Sequence, residues 1–211
     1  MIAVVDYGAG NLNSVKKAFD YLEAEVTVSG HPAAVAAADK IVLPGVGHFS
    51  ALSTLSATGL RDALLEGIAA GKPFLGICLG MQWLFDGSEE APEFPGAGLL
   101  SGECRKFPAE VKSPHVGWNS LSSGGAWPAR RSEPVKSALE NSRLLRNLPA
   151  DSFVYFTHSF YAPVTQATSA TTGYGLPFSA AVERGNIFGV QFHPEKSGAV
   201  GLLILKTFCE L

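Results

Sequence analysis

The chain is poor in the residues that specialised architectures need. Three cysteines, Cys78, Cys104 and Cys209, stand far apart among 211 residues. An odd number at wide spacing argues against a disulfide framework and against a cysteine-rich zinc site, and points to a reducing compartment, the cytoplasm. No dense run of Lys or Arg occurs, and 16 basic against 19 acidic side chains leave a formal charge of −3. Neither a nucleic acid nor an anionic membrane is therefore indicated as a partner. Long apolar runs are missing as well. The stretch from Ala199 to Leu205 is too short to span a bilayer, and Met1 leads into Ile2-Ala3-Val4-Val5 without the basic start of a secretory leader. No metal-ligand cluster and no phosphate-binding P-loop is present, so neither a metal nor a cofactor is expected. What the chain has in quantity is apolar side chain. Hydrophobic residues make up 46% and charged residues 17%, enough for a sizeable core and too apolar for disorder. The length suits one domain over residues 1–211.

The first 85 residues alternate between strand and helix patterns. Ile2–Val5, Glu25–Ser29, Ile41–Leu43 and Phe74–Ile77 read as strands, three of them wholly apolar. Between them Leu12, Val15, Ala18, Phe19 and Leu22 recur at helical spacing, as do Leu60, Leu64, Leu65 and Ile68 before a Gly71-Lys72-Pro73 stop. That alternation predicts an α/β fold with a largely parallel sheet. The second half changes character. Leu99–Phe107, Phe153–Tyr161, Phe178–Glu183 and Ile187–Phe192 read as strands with few helices between them, and Glu183-Arg184-Gly185-Asn186 reads as a hairpin turn. The sheet should be mixed, with antiparallel additions. Ser197 is placed to cap a closing helix that runs to Leu211. Ser120–Asn141, with Ser-Ser-Gly-Gly, two prolines and an arginine pair, reads as a surface insertion.

Chemistry concentrates at Gly76-Ile77-Cys78-Leu79-Gly80, a G-x-C-x-G pentad between a strand and a helical segment. It is the thiol counterpart of the G-x-S-x-G nucleophile elbow. Such a turn strains the backbone of its central residue, and small residues two before and two after let strand and helix approach. Free amides at the start of the following helix favour a thiolate, which predicts acidity above that of a free thiol. Cys104 and Cys209 lack this context and read as structural. A thiol nucleophile needs a base and a group to orient it. His193 and Glu195, either side of Pro194 at the end of an apolar strand, point to one face if the segment is extended. Pro44-Gly45-Val46-Gly47 also follows a buried strand, and its glycines allow a backbone N–H to meet an oxyanion together with that of Leu79.

Six blocks of the sequence together resemble the class I, triad-type glutamine amidotransferases. They are Asp6–Leu12, Pro44–Phe49, Gly76–Gln82, Pro114–Asn119, Tyr155–Ser159 and Gly189–Gly198, in family order across nearly the whole chain. The resemblance implies a flavodoxin-like, three-layer α/β domain with a central mixed, mostly parallel sheet. It implies Cys78 as nucleophile on the side-chain amide of L-glutamine, His193 as proton shuttle and Glu195 as its orienter, with Val46 and Leu79 as oxyanion donors. Gly47, Gln82, Glu90, Ser159 and Phe160 stand where the family holds glutamine, Glu90 as counter-charge to its α-ammonium. The Asp6–Leu12 and Pro114–Asn119 blocks are most similar to members that serve a separate (β/α)8 cyclase subunit in histidine biosynthesis. For those members Asn11, Trp118 and Lys196 match docking positions. Trp118 suits a core position as well as an interface anchor, and His115 and His158 read as structural. The triad itself does not separate this reading from an amidotransferase of another synthase. A docking module without activity, or a cysteine peptidase of similar fold, would need the triad idle or an open peptide groove. Two departures stand out: Phe160 replaces a common tyrosine, and the Ser120–Asn141 stretch is longer than the family pattern.

Overall fold

The computed structural model describes residues 1–123, 139, 141–149 and 152–211. Most of the Ser120–Asn141 insertion lies outside the described residues. The strands are β1 (Ile2–Val5), β2 (Val26–Ser29), β3 (Lys40–Gly45), β4 (Phe74–Cys78), β5 (Gly87–Ser88), β6 (Glu103–Lys106), β7 (His115–Ser120), β8 (Ser122–Ser123), β9 (Phe153–His158), β10 (Phe160–Tyr161), β11 (Thr168–Gly173), β12 (Pro177–Arg184) and β13 (Ile187–Val190). The helices are α1 (Leu12–Tyr21), α2 (Pro32–Ala37), α3 (Ser53–Ala57), α4 (Leu60–Ala69), α5 (Leu79–Gln82) and α6 (Gly198–Cys209), with 3₁₀ turns at Phe49–Leu52 and Pro194–Lys196.

The main sheet runs β2-β1-β3-β4-β13-β12-β11-β8. β2, β1, β3, β4 and β13 run parallel to one another, whereas β12, β11 and β8 continue the sheet by antiparallel pairing. The period-two pleat sends alternate side chains to opposite faces, and each face has its own core. Val4, Val42, Leu75 and Ile77 join Phe19, Ile204 and Phe208 of α1 and α6 on one side. Val5, Ile41, Leu43 and Phe74 join Leu55, Leu64 and Ile68 of α3 and α4 on the other. The three-layer expectation thus follows from which half of each apolar run faces which helix layer.

Several local expectations need correction. Leu99–Phe107 is not one strand. The amides of Leu99 and Leu100 turn onto the Leu84 carbonyl at 2.9 and 2.8 Å, and pairing starts only at Glu103. Phe153–Tyr161 is broken at Ser159, where the His158 ring bonds the Phe160 carbonyl at 2.8 Å, so β9 pairs with β7 while β10 pairs with β6. Ser197 does not cap α6 through its side chain; its hydroxyl donates to the His193 carbonyl and accepts from the Tyr155 amide. The Gly185-Asn186 hairpin forms as read, joining β12 to β13 between Arg184 and Ile187.

Candidate active site

Cys78 ends β4 with φ 53° and ψ −105°. This backbone strain is costly for a side-chain-bearing residue, and the surrounding glycines hold it. A Cβ on Gly80 would run into the Leu43 carbonyl, and one on Gly76 would sit 2.7 Å from the Met81 amide. β4, the adjacent β3 and α5 therefore meet at a distance only glycine permits, and that contact raises the thiol at the carboxyl ends of the parallel strands. Binding at that edge is the rule for open α/β sheets.

The thiol lies at a cavity of about 230 Å³. Val46, Gly47, Cys78, Leu79, Gln82, Glu90, Ser159 and Phe160 all line it, joined by Pro114, Thr157 and His158. The sequence places eight of these residues in one site, from four separate segments. Of the other three, His158 reads as structural in the sequence, and Pro114 and Thr157 read as ordinary members of a turn and a strand. Gly47 takes φ 102° in the loop after β3. Glu90 anchors that loop: its Oε2 accepts from the Phe49 amide at 2.8 Å. The Gln82 side-chain NH₂ donates to the Phe160 carbonyl at 2.9 Å and to Gln191 Oε1 at 3.1 Å.

His193 and Glu195 do not line the cavity; both side chains are only 1% exposed. The segment between them is not extended. Pro194 opens a 3₁₀ turn instead, and this brings His193 Nδ1 to 2.8 Å from Glu195 Oε1. The main chain of His193 is fixed by its amide on the Tyr155 carbonyl and by the Ser197 hydroxyl on its own carbonyl. Its Nε2 is buried without a hydrogen-bond partner among the described residues. Burial by itself drives the imidazole toward neutrality. The Cys78 and Glu195 groups outweigh this by hydrogen bonding and charge, and carry its pKa up to about 10. Cys78 thus contributes to that rise although Nε2 makes no hydrogen bond to it. Tyr7 also lies close to this centre. Its hydroxyl is buried and has no hydrogen-bond partner among the described residues, and is made less acidic by burial and by the charge of Cys78.

His115 and His158 form a second buried group across β7 and β9. His115 Nδ1 lies 3.1 Å from His158 Nε2, and His158 Nδ1 lies 2.8 Å from the Phe160 carbonyl. A carbonyl only accepts, so His158 Nδ1 carries its proton, and its Nε2 accepts from His115. Burial lowers the pKa of His115 to about 4 and that of His158 to about 3, so both rings are neutral near pH 7.

The expected docking residues do not line the cavity. Trp118 is 55% exposed, which removes the core reading. It stands on β7 opposite Tyr155 of β9, with ring centroids 6.0 Å apart, and Lys196 Nζ lies 6.0 Å above the Tyr155 ring. Val116 and Phe153 are exposed on the same ribbon. Asn11 precedes α1, which packs beside the Pro194–Lys196 turn. Among the described residues no cluster suited to a metal ion and no helix long and apolar enough to cross a membrane is found.

The family model for class I glutamine amidotransferases matches residues 3–209. Imidazole glycerol phosphate synthase subunit HisH of Deinococcus radiodurans is 45% identical over 98% of this chain and 92% of its own length. The HisH subunit of Moorella thermoacetica is 44% identical over 100% of this chain and 94% of its own. A crystal structure of a glutamine amidotransferase superposes with a TM-score of 0.72 at 16% identity, covering 100% of this chain and 99% of that one. At that identity it speaks to the fold alone.

Proposed function

Because the chain belongs to the class I glutamine amidotransferases, we propose that it is the glutaminase subunit of an imidazole glycerol phosphate synthase. It hydrolyses L-glutamine to glutamate and ammonia and passes the ammonia to a cyclase subunit. The observation that carries this reading is the convergence of the Cys78 elbow, the buried His193–Glu195 pair and an amino-acid-sized cavity at one sheet edge, in a chain 45% identical to a HisH subunit.

The geometry supports a two-stage acyl transfer. His193, oriented by Glu195, takes the proton of Cys78 Sγ on Nε2, and the sulfur attacks the amide carbon of glutamine. The amides of Val46 and Leu79, both lining the cavity, receive the negative charge that develops on the carbonyl oxygen. The imidazolium gives its proton to the amide nitrogen, which leaves as ammonia as its bond to carbon breaks, and a thioester remains on Cys78. The neutral imidazole then takes a proton from water, whose oxygen attacks the thioester and releases glutamate. Glu195 keeps Nδ1 protonated and Nε2 aimed at the reacting groups through both stages. Glu90, with Oε2 on the loop of the oxyanion donors, holds the substrate α-ammonium. Gly47, Gln82, Ser159 and Phe160 shape the rest of the cradle.

The partner is a (β/α)8 cyclase that docks as a heterodimer on the β7–β9 ribbon. The product ammonia reaches a ribotide there, giving imidazole glycerol phosphate and an aminoimidazole carboxamide ribotide in the cytoplasm. Trp118, Val116 and Phe153 offer the exposed apolar surface such an interface needs, with Lys196 and Asn11 at its margin. The Cys78→Ala chain tests the chemistry. It should fold, bind the cyclase and release no glutamate; substantial glutamate release by that variant would remove Cys78 as nucleophile.

A further inference from the structure

Gln191 is fully buried just before His193 and has so far no assigned task. Its Nε2 lies 3.6 Å from Cys78 Sγ, and its Oε1 lies 3.1 Å from Gln82 Nε2. The direction of this amide follows from hydrogen-bond chemistry. The Phe160 carbonyl is an acceptor only, so Gln82 must turn its NH₂ toward it, at 2.9 Å. The second N–H of that NH₂ then needs an acceptor, and the oxygen of Gln191 supplies it. The NH₂ of Gln191 is left facing the sulfur. Sγ also lies 3.9 Å from the Thr157 carbonyl. The sulfur therefore has one neighbour that suits each of its states. A thiol S–H can point at the Thr157 oxygen, and a thiolate can accept from Gln191.

We infer that Gln191 is a further catalytic residue, whose side-chain N–H donates to Cys78 Sγ and stabilises the thiolate, its direction fixed by the Gln82–Phe160 relay. The inference rests on the nucleophile reading of Cys78. The chemistry is proton transfer only: the proton leaves Sγ for His193 Nε2, and the electron pair left on sulfur accepts the Gln191 N–H. The relay also ties the nucleophile to the substrate cradle. Phe160 lines the cavity, and its carbonyl is the fixed point from which both amides take their orientation. The other titratable groups around the sulfur are Tyr7 from the loop after β1, the His193–Glu195 pair, His158 on β9 and Glu90 across the cavity.

The test is the rate of Cys78 carbamidomethylation by iodoacetamide across pH, followed by the mass of the Cys78 peptide so that Cys104 and Cys209 do not interfere. Gln191→Met keeps the volume and removes the donor, and Gln191→Glu replaces it with an oxygen. Each should alkylate about tenfold more slowly than the parent at neutral pH, yet reach the parental rate at high pH, where the thiolate forms regardless. Glutamine kcat should fall by a similar factor with little change in KM. A purely structural role gives either no change or the same slowing at every pH, and a parental pH profile in a cooperatively melting variant overturns the inference. Should neither variant fold, the side-chain NH₂ resonance of Gln191 in the unaltered chain decides. It should move when Cys78 is alkylated, and a resonance that stays in place overturns the inference. Glutamate release by Cys78→Ala would sink the nucleophile reading itself. A silent Cys78→Ala beside a parental Gln191→Met profile would sink only the role of Gln191.

Discussion

The most informative residue after Cys78 is Glu195. Its carboxylate is buried and gives one oxygen to His193 at 2.8 Å, while its other oxygen has no partner among the described residues. An ionised carboxylate in that position is tolerable only beside a cation, so the His193 imidazolium and Glu195 support each other. Glu195→Gln should bring the His193 pKa down from about 10 toward its ordinary value, readable by NMR titration, and should lower kcat by about 10²–10⁴-fold. An unmoved His193 titration would show that the carboxylate does not hold the charge. The pair was legible in the sequence because His-Pro-Glu closes an apolar strand. A 3₁₀ turn, rather than the extended segment the sequence suggests, brings the two together. Gln191 was missed although a signal existed: a polar amide flanked by Val190 and Phe192 in a buried run needs a buried partner.

Among the elements, the β4–α5 elbow and the β7–β9 ribbon do different work. The elbow depends on backbone approach. Gly80→Ala places a methyl against the Leu43 carbonyl and should cost about 3 kcal/mol or more in denaturant unfolding; a cost below about 1 kcal/mol would show that β3 and α5 can part freely. The ribbon carries the neutral histidine pair on its inner face. In the unfolded chain both rings take up protons from about pH 6.5, but in the folded chain only near pH 4 and 3. The unfolded state thus holds more protons in that window, and stability should fall as pH drops from about 6.5 to 4. His193 contributes nothing to that slope, because its stabilisation is complete below its unfolded pKa and is lost only as pH rises toward about 10. His158→Phe should flatten the acid limb of a melting-temperature profile; an unchanged limb would assign it to other groups. The ribbon was not legible as a strand pair. His115–Ser120 alternates buried and exposed positions weakly, and β11 (Thr-Ser-Ala-Thr-Thr-Gly) has almost no apolar signal because sheet neighbours and not side-chain hydrophobicity define it.

At the scale of the whole molecule, β1, β3, β4 and β13 are readable from their apolar runs and β2 from its alternation, and the two core layers follow from the pleat. What tertiary structure adds is the closeness of the cavity to the exposed ribbon. Pro114 and Thr157 line the cavity, and Val116, paired with Thr157, looks outward beside Trp118. A partner seated on Trp118 therefore lies next to the chamber where ammonia forms. Trp118→Ala should leave unfolding unchanged, since the ring is 55% exposed, and weaken cyclase binding by about 2 kcal/mol or more, roughly 30-fold. Equal affinity for the cyclase would move the interface elsewhere. The central claim is that this triad serves that partner. The most direct measurement is glutamate release from glutamine by the purified chain, alone and with a cyclase subunit and its ribotide substrate. The account predicts strong stimulation by the pair that disappears in Cys78→Ala. Turnover indifferent to the cyclase, or none with it present, would contradict the account.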